Sequence, residues 1–159
     1  MMFKTHLAFA VLMGIFIIFF LRPDAPYIFG SLFLFSAILP DIDCSRSFLG
    51  RRLRPLSSLI NFLFGHRGFL HTLWMPLILY SVLHLFSFTW AALAVAGGYM
   101  LHIMLDTFSA EGIRLFSPLW KKRFHGFVKT GGLAEHFALL VVCLGIGYFI
   151  IRLWGLPLA

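Results

Sequence analysis

Residues 88–108 read FTWAALAVAGGYMLHIMLDTF, twenty-one positions in which one imidazole, His102, and one carboxylate, Asp106, interrupt an otherwise apolar run. About 17–25 such residues cross the hydrocarbon core of a bilayer as a helix. Placing an ionised side chain within such a helix costs about 2.5–3.5 kcal/mol on insertion scales, so a charge kept there needs a partner. His102 and Asp106 are four residues apart and therefore share one helix face. That face can offer a nitrogen and an oxygen to one cation, or it can form an ion pair between helices.

Working outward, four more apolar stretches appear, at 6–21, 26–39, 68–86 and 133–154. Those at 68–86 and 133–154 have spanning length. The first two are shorter, about 21–24 Å at ~1.5 Å per residue, and either cross a thinned bilayer or form a re-entrant hairpin that turns at Arg22–Pro26. Residues 1–21 resemble a signal peptide, with Lys4 ahead of an apolar run, but 22–26 (RPDAP) lack a small-x-small cleavage site, which predicts a retained helix. Hydrophobic residues make up 60% of the 159 positions and charged ones 12%. Ordinary soluble domains carry about 25% charged residues. The twenty phenylalanines alone exceed what so small a globule can bury. The predicted fold is all-α and polytopic, about five transmembrane segments in one membrane domain, 1–159.

Two connecting segments are also apolar. Within 55–64, Leu56, Leu59, Ile60, Leu63 and Phe64 repeat with helical period, behind Arg51, Arg52 and Arg54. Pro55 suits a first helical position and Gly65 a C-terminal cap. This predicts a short amphipathic helix in the headgroup plane. Residues 109–132 mix Phe116, Trp120, Phe124 and Phe127 with Lys121, Lys122, Arg123 and Lys129, which reads as an interfacial loop or lid.

The net charge of +7 is explained by layout. Lys4, Arg46, Arg51, Arg52, Arg54, Arg67, Arg114, Lys121, Lys122, Arg123 and Lys129 fall on one side of this topology, and Arg22 and Arg152 on the other. A bias of eleven to two marks the first side as cytoplasmic, with the N-terminus inside a cytoplasmic (inner) membrane. Anionic headgroups then account for the basic residues, and nucleic acid is not needed. Cys44 and Cys143 offer neither a disulfide framework nor a paired thiolate site.

On the same map His6, Asp41, Asp43, His66, His71, His102, Asp106 and Glu135 all lie at the cytoplasmic segment ends, while the outer ends hold Asp24 and His84. Imidazoles with carboxylates suit Zn first, with Mn or Fe as alternatives, and suit Ca or Mg less well. The excess of ligands admits one or two divalent ions. Of Glu135 and His136, which point about 100° apart on a helix, Glu135 is preferred because a carboxylate suits the first turn. Glu111 reads as an exposed carboxylate on a glycine-flanked loop.

Several blocks carry a family likeness: LPDID at 39–43, SFLG at 47–50, GHRGFLHT at 65–72, and His102 with Asp106 followed by Gly112 and Pro118. With these the chain resembles the LexA-regulated, inner-membrane-associated family of metal-dependent hydrolases, from His6 to Glu135. The resemblance implies hydrolase activity and the eight metal positions just named. Relatives can carry His at the position of Cys44, and residues other than Glu at position 111.

The expected reaction is metal-assisted hydrolysis of a phosphoester on a lipid-like or phosphorylated amphiphile. His71, His102, Asp106 and Asp41 would bind metal, and His6, Asp43 and His66 would complete a second ion or shell. Glu135, Asp43 and Arg67 are the catalytic candidates, Glu135 as base or bridging ligand and Arg67 as partner of an anionic oxygen. Two rivals share the ligands: a transporter of metal or small ions, and a non-catalytic module in which metal pins helix ends together.

Overall fold

A computed structural model describes residues 1–45, 47–65 and 67–153. Arg46 (counted among the cations), His66 (expected as a ligand) and Trp154 (end of the fifth expected segment) lie outside the described residues. Seven α-helices are described: α1 Phe3–Leu21, α2 Pro26–Ile38, α3 Phe48–Arg52, α4 Arg54–Phe64, α5 Trp74–Leu85, α6 Thr89–Phe108 and α7 Leu133–Leu153. Among the described residues there is no β-strand, only isolated bridges within 109–128. The fold is a polytopic helical membrane protein, as expected.

Four segments are long and apolar enough to cross a membrane: Phe3–Leu21, Pro26–Asp43, Thr89–Phe108 and Leu133–Arg152. The first two are longer than the sequence suggested. α1 begins at Phe3, so His6 sits inside the helix. At Pro40 the missing N–H ends the α-ladder, yet the chain continues as a 3-10 turn, Leu39–Asp43, which lengthens the second segment. The third stretch, 68–86, corrects the expectation in the other direction. Its helix α5 has only 12 residues, about 18 Å at ~1.5 Å per residue. The residues before it are used elsewhere: Phe69–His71 form a 3-10 turn that buries His71, and the Leu73 N–H donates to the Leu115 carbonyl at 3.0 Å.

Glycine and small residues fix the central seam. α2 packs closely on α6, and a Cβ at Gly98 would collide with the Phe33 carbonyl and Ser36 Oγ. Ser36 Oγ donates to the Phe33 carbonyl at 3.0 Å. Backbones approach this closely in membranes where side chains are small, because lipid offers no hydrophobic drive between helices. Ala10, Phe29, Phe33, Ala37 and Ala94 form the adjoining core. α7 packs on α1 and leaves Leu133, Phe137, Leu140 and Leu144 exposed, as a lipid-facing helix does.

The expected amphipathic helix at 55–64 is α4. Its orientation is inverted relative to a soluble helix: Leu56, Leu59, Phe62 and Leu63 are exposed while Ser57 is buried. The 109–132 segment is a folded loop. Ile113 and Phe124 exchange backbone hydrogen bonds of 2.9 and 2.8 Å, and Ile113 is buried against Tyr99 and Ile103. These elements converge at one end of the bundle.

Candidate metal centre

His102 lies in the last turns of α6 and is completely buried. Its Nδ1 is 2.8 Å from the Ala37 carbonyl. A carbonyl only accepts, so Nδ1 carries the proton and Nε2 presents a lone pair. That Nε2 has no hydrogen-bond partner, although Asp41 Oδ1 is 3.8 Å away and Asp106 Oδ2 is 3.9 Å away. A buried polar atom without a partner costs about 1–3 kcal/mol. An imidazole whose far nitrogen is fixed by a carbonyl, and whose near nitrogen faces carboxylates, has the arrangement of a metal ligand.

Two more imidazoles adjoin it. His6, from α1, stacks on His102 with ring centroids 4.0 Å apart, and its Nε2 is 3.3 Å from Asp106 Oδ1. His71, at the end of its 3-10 turn, stands edge-on to His102 at 5.4 Å. His71 Nε2 lies 3.7 Å from Asp106 Oδ2, and Nδ1 lies 3.2 Å from Asp43 Oδ2. His6 Nδ1 and both His71 nitrogens also lack an aligned hydrogen-bond partner.

The ligand atoms of His6, His102 and Asp106 lie within 4.8 Å of one another, and so do those of Asp41, His71 and His102. The groups share His102. These buried residues could hold a metal ion, and the orphaned nitrogens with adjacent carboxylate oxygens fit a divalent cation. Asp41 is the one partly open member, its side chain 22% exposed.

Asp43, Arg67 and Glu135, the other described candidates, stand around this core. Asp43 is buried and accepts the Arg67 N–H at 2.8 Å. The Arg67 guanidinium spans Asp106 Oδ2 at 3.2 Å and Glu111 Oε2 at 2.7 Å. Its backbone takes a left-handed φ of 54°, a conformation costing about 1–2 kcal/mol for a side-chain-bearing residue. Glu135 is buried but is not brought into either ligand group. Its oxygens accept the backbone N–H of Met2 and of Gly131, each at 2.7 Å, which ties the start of α7 to the start of α1. His136 is exposed and its Nδ1 meets the Gly132 carbonyl.

Several participants had no strong sequence signal. The Met1 amino group is 2.9 Å from Asp106 Oδ1. Tyr99 is buried and donates to the Leu70 carbonyl at 2.8 Å, bracing the turn that carries His71. Ser47 Oγ donates to the Asp41 carbonyl at 2.7 Å. Polar residues one or two turns from ligands are where such supports are found, and only that proximity could have singled them out.

A cleft of about 640 Å³ opens beside the centre. Asp41 and Arg67 connect it to the ligands, Lys4 and Arg51 add positive charge, and Phe3 and Phe48 add apolar wall. Arg67 also lines a second cleft of about 380 Å³, together with Arg114 and Ser117.

Comparison with known proteins agrees with this architecture. The Escherichia coli (strain K12) protein named Inner membrane protein YdjM is 33% identical over 129 residues, 76% of this chain and 63% of that protein. Its Shigella flexneri namesake matches to the same extent, so the chain spans less than two thirds of these two relatives. The Bacillus subtilis (strain 168) protein named Uncharacterized protein YvsG is 29% identical over 74% of this chain and 75% of its own length. No solved structure gives a significant match. A family model covering residues 1–156 accounts for nearly the whole chain, which therefore belongs to the YdjM inner membrane protein family.

Proposed function

We propose that this protein is a membrane-embedded, metal-dependent hydrolase that works at the cytoplasmic face on a phosphoester of a lipid or other amphiphile. The observation that carries the reading is the buried His102 Nε2, oriented by the Ala37 carbonyl and unpartnered between two carboxylates. His6, Asp41, His71, His102 and Asp106 would hold the ion, Zn first and Mn or Fe as alternatives, and the shared position of His102 allows one ion or two. A bound divalent cation supplies Lewis acidity that makes water a nucleophile near neutral pH and offsets charge on phosphoryl oxygens.

The chain's own groups supply the rest. Arg67 offers a planar fork to an anionic oxygen, exchanging its hold on the exposed Glu111 for the substrate. Lys4 and Arg51 raise the positive potential of the cleft, while Phe3 and Phe48 suit the apolar part of an amphiphile. The Asp43 carboxylate, 3.2 Å from His71 Nδ1, would favour the orientation of that ring electrostatically. Glu135, engaged by two backbone donors, serves better as a tie between α1 and α7 than as a base.

The cytoplasmic assignment rests on the eleven-to-two distribution of basic residues. The cleft beside the partly open Asp41 favours catalysis over a closed structural metal, which leaves no open position. The ligands come from segment ends on one side of the topology, with no polar series continuing to the other side, which disfavours a transporter. The test is turnover of a panel of phospholipids, lipid phosphates and acyl lipids by detergent-purified protein. We expect hydrolysis of a phosphorylated amphiphile that chelator and His102→Ala both abolish. Turnover indifferent to both, or confined to acyl esters, overturns the reading.

A further inference from the structure

We propose that α4 is a surface lever that sets the position of Asp43, and with it the metal centre, according to how much anionic phospholipid the adjoining leaflet contains. This rests on reading the His/Asp cluster as a metal site. The first observation is the inversion of α4. Leu56, Leu59, Phe62 and Leu63 face away from the protein, as does Leu53 just before the helix. In a water-facing helix that stripe would point to the core, so the outer face of α4 calls for an apolar medium. Arg52, the last residue of α3, and Arg54, the first of α4, are exposed beside the start of that stripe. Apolar stripe and arginines together match one occupant, the headgroup and upper acyl layer of an anionic leaflet.

The second observation is where the inward face is anchored. α4 packs on α3 and on the 3-10 turn Leu39–Asp43, which is the turn that carries the two aspartates. Asn61 Nδ2 donates to the Asp43 carbonyl at 2.8 Å. Just past the helix end, the Arg67 N–H donates to Asp43 Oδ2 at 2.8 Å. Asp43 is thus gripped from two points tied to α4, and its carboxylate lies 3.2 Å from His71 Nδ1. Seating α4 in the leaflet holds this turn as seen here. Lifting α4 pulls on the Asp43 carbonyl and loosens His71 and Asp41. Lipid and metal favour the same seated arrangement, so each strengthens the other by the same factor. Asn61 is a positioning residue, acting through Asp43.

The test measures Zn2+ affinity, by competition with a chromophoric chelator, in nanodiscs of phosphatidylcholine alone and of phosphatidylcholine with about one third phosphatidylglycerol. An anionic disc concentrates divalent ions near any protein, so the informative comparison is between wild type and Asn61→Ala in the same discs. We expect the gain in affinity on anionic discs to be about fivefold larger for wild type than for Asn61→Ala. Added Zn2+ also protects amides 54–64 from hydrogen exchange in wild type and not in the variant. Equal gains in the two proteins overturn the lever and leave the metal reading intact, whereas no Zn2+ binding in any disc overturns both. Should Asn61→Ala not fold, Arg52→Gln/Arg54→Gln carries the comparison through release of bound Zn2+ into excess chelator, a rate that surface accumulation of free ion does not alter. Release slows on anionic discs for wild type and not for this variant, and equal slowing overturns the lever.

Discussion

His102 can be separated into its two nitrogens. In His102→Asn the side-chain amide nitrogen reaches the place of Nδ1 and still donates to the Ala37 carbonyl, now 2.8 Å from the imidazole. The nitrogen that faces Asp41 and Asp106 is gone. His102→Ala removes both functions and leaves a hole beside the stacked His6 ring. A net hydrogen bond is worth about 0.5–1.5 kcal/mol, so without metal the Asn variant should unfold at higher temperature than the Ala variant. Zinc at about 100 times its dissociation constant stabilises wild type by about 2.7 kcal/mol. Both ligand groups share His102, so either substitution should weaken zinc at least ~100-fold, the upper end of what loss of a ligand's supporting partner costs. The same zinc concentration then equals the weakened dissociation constant, and the stabilisation falls to about 0.4 kcal/mol. The assay is thermal unfolding in detergent with and without zinc. A His102→Asn protein that keeps the wild-type zinc shift would refute the assignment of Nε2 as ligand.

Four further substitutions, one of them a control, probe the supports. Gly98→Ala forces a Cβ onto the Phe33 carbonyl and Ser36 Oγ and should lower stability by about 1–3 kcal/mol, while Gly147→Ala, with open space around it, should not destabilise; a thermal melt distinguishes them. Tyr99→Phe deprives the Leu70 carbonyl of its donor and should weaken zinc about tenfold, read by chelator competition. Glu135→Gln should keep wild-type zinc affinity while lowering the melting temperature, because one of two backbone N–H groups loses its acceptor; loss of zinc binding would return Glu135 to the ligand set.

Membrane residence and the one-sided polar cluster were legible because both are written in patterns the bilayer enforces: apolar length, and ionisable residues confined to segment ends. The pairing of His102 with Asp106 on one helix face followed from spacing alone. The ends of elements were less legible. Pro40 signals a break, but not that the chain would tighten into a 3-10 turn that leaves Asp41 partly open and Asp43 buried. Gly68–Leu73 is as apolar as a helix, and only tertiary contacts, the Leu73–Leu115 and Tyr99–Leu70 bonds, divert it into the site. Glu135 shows the limit of residue type as a guide. A carboxylate at a first turn suits a dipole, a ligand or a tie to a neighbouring backbone equally well, and the choice depends on which donors the fold brings near.

The most direct test is the metal itself: stoichiometry by elemental analysis, and coordination by X-ray absorption, on protein purified without chelator. We expect one or two equivalents of a transition metal bound by nitrogen and oxygen only, with the multiple-scattering signature of imidazole, and loss of that signature in His102→Asn. Protein that neither retains metal nor takes it up, or metal bound through the sulfur of Cys44, would contradict the account.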